Sequence, residues 1–95
     1  MNKKLYNNNR IRPIKTMDKR YHYTVYKIEM DGSLSNKEHL NADELDNWML
    51  LAINYFATIK VVRSDGRFII YDDNGDKWTI RERSFSTLYG TAKLS

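Results

Sequence analysis

The sequence predicts an α+β fold: a single two-layer domain with an antiparallel sheet in the order ββαβββ, one covering helix and a basic N-terminal arm. Three observations predict it. Residues 21–30 alternate between two faces with a period of two. A helix start signal at Asn41 opens a stretch with a 3.6-residue apolar period. The dipeptides Asp31-Gly32, Asp65-Gly66 and Asn74-Gly75 then punctuate short β-prone runs at hairpin spacing.

The arm is residues 1–20 and the domain residues 21–95. Seven cations against one acid, with Asn7, Asn8 and Asn9 between them, leave residues 1–20 too few apolar side chains for a core of their own. Pro13 fixes one φ and biases Arg12 toward extended geometry, so the arm is expected to be extended. The first strand, Tyr21 to Met30, sets His22, Thr24, Tyr26, Ile28 and Met30 on one face and Tyr21, Tyr23, Val25, Lys27 and Glu29 on the other. Asp31-Gly32 suits a type I′ turn, and 33–37 returns as a short second strand.

Asn41 caps the helix, Glu44 reaches back to complete a capping box, and Asp43, Glu44 and Asp46 place negative charge at the positive end of the dipole. From Ala42 to about Ala57, Leu45, Trp48, Met49, Ala52, Ile53, Tyr55 and Phe56 gather on one face. Residues 58–63, 67–72 and 77–83 read as the last three strands, separated by the remaining two turns. The expected core is Trp48, Met49, Ala52, Phe56, Ile59, Val61, Ile70, Trp78 and Ile80. In the tail after residue 83, Phe85, Leu88 and Tyr89 suit one apolar helical turn docked on the body.

Composition narrows the function classes. With no cysteine there is no disulfide framework, thiolate nucleophile or Cys-based zinc site. The acidic turn at 72–76 fails as a calcium loop, because counting from Gly75 as the sixth position puts Arg81 where a bidentate Glu is required. His22 and His39 have no metal-ligand spacing, and no phosphate loop or nucleophile elbow occurs. The chain is therefore expected to be non-enzymatic, with no catalytic residues, no cofactor and no metal. No apolar run approaches the length of a membrane span, so no membrane contact and a cytoplasmic location are expected. Asn, Lys, Ile and Tyr make up 33 of 95 residues, a bias that accompanies AT-rich codons and suits a low-GC bacterium or its phages.

Three surfaces are candidates for binding. The arm offers Lys3, Lys4, Arg10, Arg12, Lys15, Lys19 and Arg20 to an acidic partner. If Trp78 and Ile80 face the helix, the open face of the sheet collects Tyr21, Tyr23, Lys27, Lys60, Lys77, Arg81 and Arg83, a mix of rings and cations suited to nucleic acid. The acidic helix start supplies Asp43 and Asp46 with Leu50 as a small apolar anchor, although capping alone accounts for its charge.

The net charge of +4 separates into about +6 on residues 1–20 and −2 on the rest, two oppositely charged surfaces in a chain without evident chemistry. The expected function is a small binding protein, encoded by a phage or mobile element. It would bind and inhibit or modulate a host nucleic-acid-processing enzyme or its nucleic-acid complex, in the manner of anti-CRISPR and anti-restriction inhibitors. The alternative is an accessory protein that binds DNA or RNA directly through the arm and the sheet face.

Overall fold

The computed structural model describes residues 17–85. Lys3, Lys4, Arg10, Arg12, Lys15, Leu88 and Tyr89 lie outside the described residues. The elements are β1 (His22–Ile28), β2 (Leu34–Asn41), α1 (Ala42–Ala52), β3 (Thr58–Arg63), β4 (Phe68–Asp73) and β5 (Trp78–Arg83). They form the ββαβββ order expected, in one five-stranded sheet of order β2-β1-β3-β4-β5 with every neighbouring pair antiparallel.

The helix begins where the capping box places it. Asn41 is extended at φ −85° and ψ 177°, its Oδ1 accepts from the Glu44 N–H at 2.8 Å, and Glu44 Oε1 accepts from the Asn41 N–H at 2.9 Å. It stops at Ala52, five residues short of the expected end. The next turn tightens, with Asn54 N–H donating to Leu51 C=O and Tyr55 N–H to Ala52 C=O, three residues back in each case. Trp78 Nε1 donates to the Met49 carbonyl at 2.8 Å, which ties the helix end to β5.

The turns differ from the type I′ geometry expected at Asp31-Gly32. A type I′ turn needs positive φ at both central residues, but only Gly32 (φ +91°) and Gly66 (φ +94°) adopt it in the first two hairpins. Gly32 N–H donates to Glu29 C=O and Glu29 N–H to Ser33 C=O; Gly66, Arg63 and Arg67 repeat the pattern. Each is a three-residue loop closed by a glycine bulge, and the Asp31 and Asp65 carboxylates accept the following Ser33 and Arg67 N–H groups at 2.9 and 3.1 Å. β2 runs on to Asn41, longer than residues 33–37, because it stays paired with β1 as far as His22↔Asn41. A bulge with Asn36 at φ 52° interrupts that edge strand, a feature that disfavours addition of a further strand.

The core lies between α1 and the sheet: Tyr23, Val25, Ala42, Leu45, Met49, Ala52, Ile59, Val61, Ile69, Tyr71 and Trp78 are buried. Two expected faces are reversed. Register joins Tyr23 to Leu40 and Val25 to Val61, so Tyr23 and Val25 point at the helix, and Tyr23 is 1% exposed. On β4 it is Ile69 and Tyr71 that face inward, with Tyr71 set edge-on to Trp78 at 6.5 Å, and Ile70 that faces out. Trp48, Phe56 and Ile80 are half-buried at the core margin, and Tyr55 is exposed.

The body also starts before residue 21. Met17 is buried, and Asp18 C=O accepts the Tyr23 hydroxyl at 2.9 Å. Burial, followed by the Asp18 charge, pushes the Tyr23 phenol up to about 12. At the same end, hydrogen bonds from Arg20 hold Asp18 down at about 2, and those from Arg63 do the same for Asp65. The raised phenol supplies stability that is complete below its unfolded value near 10 and is lost as pH rises through 12. The lowered carboxylates supply stability present above their unfolded value of 3.8 and lost as pH falls through 2. Denaturant titrations should show both limbs, with Tyr23→Phe removing the alkaline one; an unchanged alkaline limb would contradict the burial.

Candidate binding surfaces

The expected basic sheet face is not assembled. Tyr23 is in the core, and Tyr21 packs at 4.2 Å from the Arg63 guanidinium at the edge of the core. Lys27 lies on the helix side, 3.2 Å from Glu29 and 5.8 Å from the Phe56 ring centroid. Lys77 is exposed in the β4–β5 turn. Arg81 does reach the outer face, but both guanidinium contacts, at 2.9 and 2.7 Å, go to Asp72. A bulge between Ile70 and Tyr71 in the β4–β5 register then pairs Glu82 with outward Ile70 and Arg83 with inward Ile69, so Arg83 leaves the face that Arg81 occupies.

What the outer face holds instead is a half-buried apolar and aromatic field around one lysine. Cross-strand register sets Tyr26, Lys60 and Ile70 in one row and Thr24, Val62 and Phe68 in the next. Lys60 Nζ lies 4.9 Å from the Phe68 ring centroid, a cation–π contact. Sequence reasoning missed Tyr26, Val62, Phe68 and Ile70. The signal was present: Phe68-Ile69-Ile70-Tyr71 is apolar on both faces, which an open polar sheet face does not need.

At the end where the chain enters the body, the charges are mutually engaged. Arg20 contacts Asp18 through Nε and Nη2, and Lys19 pairs with Asp43 at 3.5 Å. The Arg63 guanidinium is stacked between the Tyr21 and Phe85 rings at 4.2 and 4.3 Å and bonds Asp65 at 3.0 and 2.6 Å. Lys19 thus meets the helix start, and Arg20 its near neighbour Asp18. The acidic helix start is similarly occupied: Asp43 meets Lys19, Glu44 completes the cap, and Asp46 and Leu50 are half-buried. On the helix, Leu51 rather than Leu50 is the exposed leucine.

The opposite end is different in kind. The β1–β2 and β4–β5 turns and the last turn of α1 all lie there, joined by the Lys27–Phe56 contact and by Asp73 N–H donating to Ala57 C=O at 2.8 Å. Four large hydrophobics exposed among the described residues lie toward this end but in different layers: Met30 at 106% in the β1–β2 turn, Leu34 at 44% across from Ile28 on the outer face, and Leu51 at 64% and Tyr55 at 77% at the end of α1 on the helix side. Asp31 in the β1–β2 turn and Asp73, Asp76 and Lys77 at the β4–β5 turn are exposed at the same end, where Lys27 is paired with Glu29. Among the described residues no cluster of metal-ligating side chains occurs, and no helix is long and apolar enough to cross a membrane.

No known protein family, characterised protein or solved structure matches the chain.

Proposed function

We propose that the chain is a small non-enzymatic binding protein that docks on a nucleic-acid-processing enzyme and inhibits or modulates it. The observation that carries this reading is the end of α1, where Leu51 and Tyr55 stand in water at the same end of the domain as exposed Met30 and the turn carboxylates Asp31, Asp73 and Asp76. Large apolar side chains left in water at one end of a small domain point to an interaction surface. Carboxylates at that end favour a cationic partner, and enzymes that handle nucleic acid present cationic grooves. An AT-rich composition supports a phage or mobile-element origin, and with it an anti-CRISPR or anti-restriction role.

The test pairs capture with function. The tagged full chain is incubated with nuclease-treated lysates of low-GC bacteria, retained proteins are identified, and purified CRISPR nucleases and restriction endonucleases are assayed for cleavage in its presence. Leu51→Asp with Tyr55→Ser should weaken capture and inhibition together by about tenfold or more, as loss of central apolar anchors does. Inhibition indifferent to both substitutions, or no enzyme of this class either retained or inhibited, would overturn the reading.

A further inference from the structure

We propose that the outer face of the sheet is a second, independent site, which binds single-stranded nucleic acid by stacking bases on Tyr26 and Phe68 around Lys60. The register carries the geometry. Tyr26 is directly across from Lys60 on β3, and Phe68 lies one strand further and one row along. Strand spacing and rise therefore set the backbone positions that carry the two rings about 12 Å apart, with Lys60 on the strand between them. That separation matches bases about two steps apart on an extended strand, each with a π-face that an aromatic ring accepts without regard to sequence.

Charge selects this occupant over the others. Lys60 makes no ion pair among the described residues, and its contact is the Phe68 ring. Its neighbours across the strands, Tyr26 and Ile70, supply no countercharge. A half-buried, unneutralised ammonium inside an apolar field is complementary to an anion carried on an aromatic ligand, which describes a nucleotide chain. A second copy docked face to face would bring like charges together at the centre of the contact, which disfavours a symmetric dimer through this face. The Arg81–Asp72 pair at the margin is neutral, and the one carboxylate that borders the field, Glu82, lies across from Ile70, two strands away from Lys60. Residues 1–16 add five cations and no acid to the same chain.

The experiment uses the full chain and fluorescein-labelled dT12 and rU12, with a 12-base-pair duplex and heparin as competitors, across a salt series. Oligonucleotide binding should weaken at least about fivefold in Tyr26→Ala and in Phe68→Ala. Lys60→Gln should lower the salt slope by about 0.7, the increment of one single-strand phosphate. Circular dichroism checks that each variant is folded. Amide shifts in the unsubstituted protein give a readout independent of the variants and should centre on Tyr26, Lys60, Val62, Phe68 and Ile70. Leu51→Asp with Tyr55→Ser should leave oligonucleotide affinity unchanged, which separates this site from the protein-docking end. Heparin binding as tight as dT12 with no response to the ring variants, shifts confined to residues 1–20, or self-association through this face would each overturn the proposal.

Discussion

Truncating Trp78 to Ala is expected to cost about 3–5 kcal/mol, enough to unfold a domain of this size. The residue is 3% exposed, its ring meets Tyr71 edge-on at 6.5 Å, and its N–H caps the Met49 carbonyl near the end of α1. Truncation therefore combines a large cavity with an unsatisfied buried acceptor. Trp78→Phe separates the two effects, since it keeps most of the ring and should cost about 1–2 kcal/mol for the hydrogen bond and the smaller volume. A matched pair on β4 checks the face assignment: Ile69→Ala should cost about 2–5 kcal/mol, and Ile70→Ala clearly less. Urea denaturation followed by circular dichroism reads all four variants. Equal costs at Ile69 and Ile70 would mean that the outer face is as tightly packed as the core.

The same residues show where the sequence was legible. Side-chain chemistry that acts within a few residues was read correctly: the Asn41–Glu44 box, the Gly-closed turns as hairpin points, and the inward parity of Trp78. Parity failed where both faces of a strand are apolar. On β1, Tyr23 and Val25 compete with Tyr26 and Ile28, and only pairing with Val61 across the sheet decides which set meets the helix. On β4 four consecutive apolar residues carry no period. The bulge that turns Arg83 away from Arg81 and the rings that clamp Arg63 depend on contacts between strands, which spacing along one strand does not encode. The surfaces proposed for binding were hidden for the same reason. Tyr26 and Phe68 become neighbours of Lys60 only through register, and Met30, Leu51 and Tyr55 share an end only through topology.

A chain beginning at residue 17 is expected to keep the stability of the full protein, whereas one beginning at residue 22 should lose about 2–5 kcal/mol. The first change removes five cations and none of the described core. The second removes the buried Met17 side chain, the Asp18 carbonyl that accepts the Tyr23 hydroxyl, and one of the two rings on Arg63. Arg63→Lys should recover little of what Arg63→Ala loses, because a flat guanidinium can stack between Tyr21 and Phe85 while bonding Asp65 twice, and an ammonium cannot. Calorimetric melting of the two truncated chains decides the boundary. Equal destabilisation by both would place the structural contribution in residues 1–16, and equal stability of both would mean that Met17 adds nothing to the core. If melting places the boundary at 17, residues 1–16 supply charge and are not needed for folding. Their removal should then reduce the salt slope of oligonucleotide binding while the ring variants still lower its affinity, because the cations act at long range and the stacking rings only at contact.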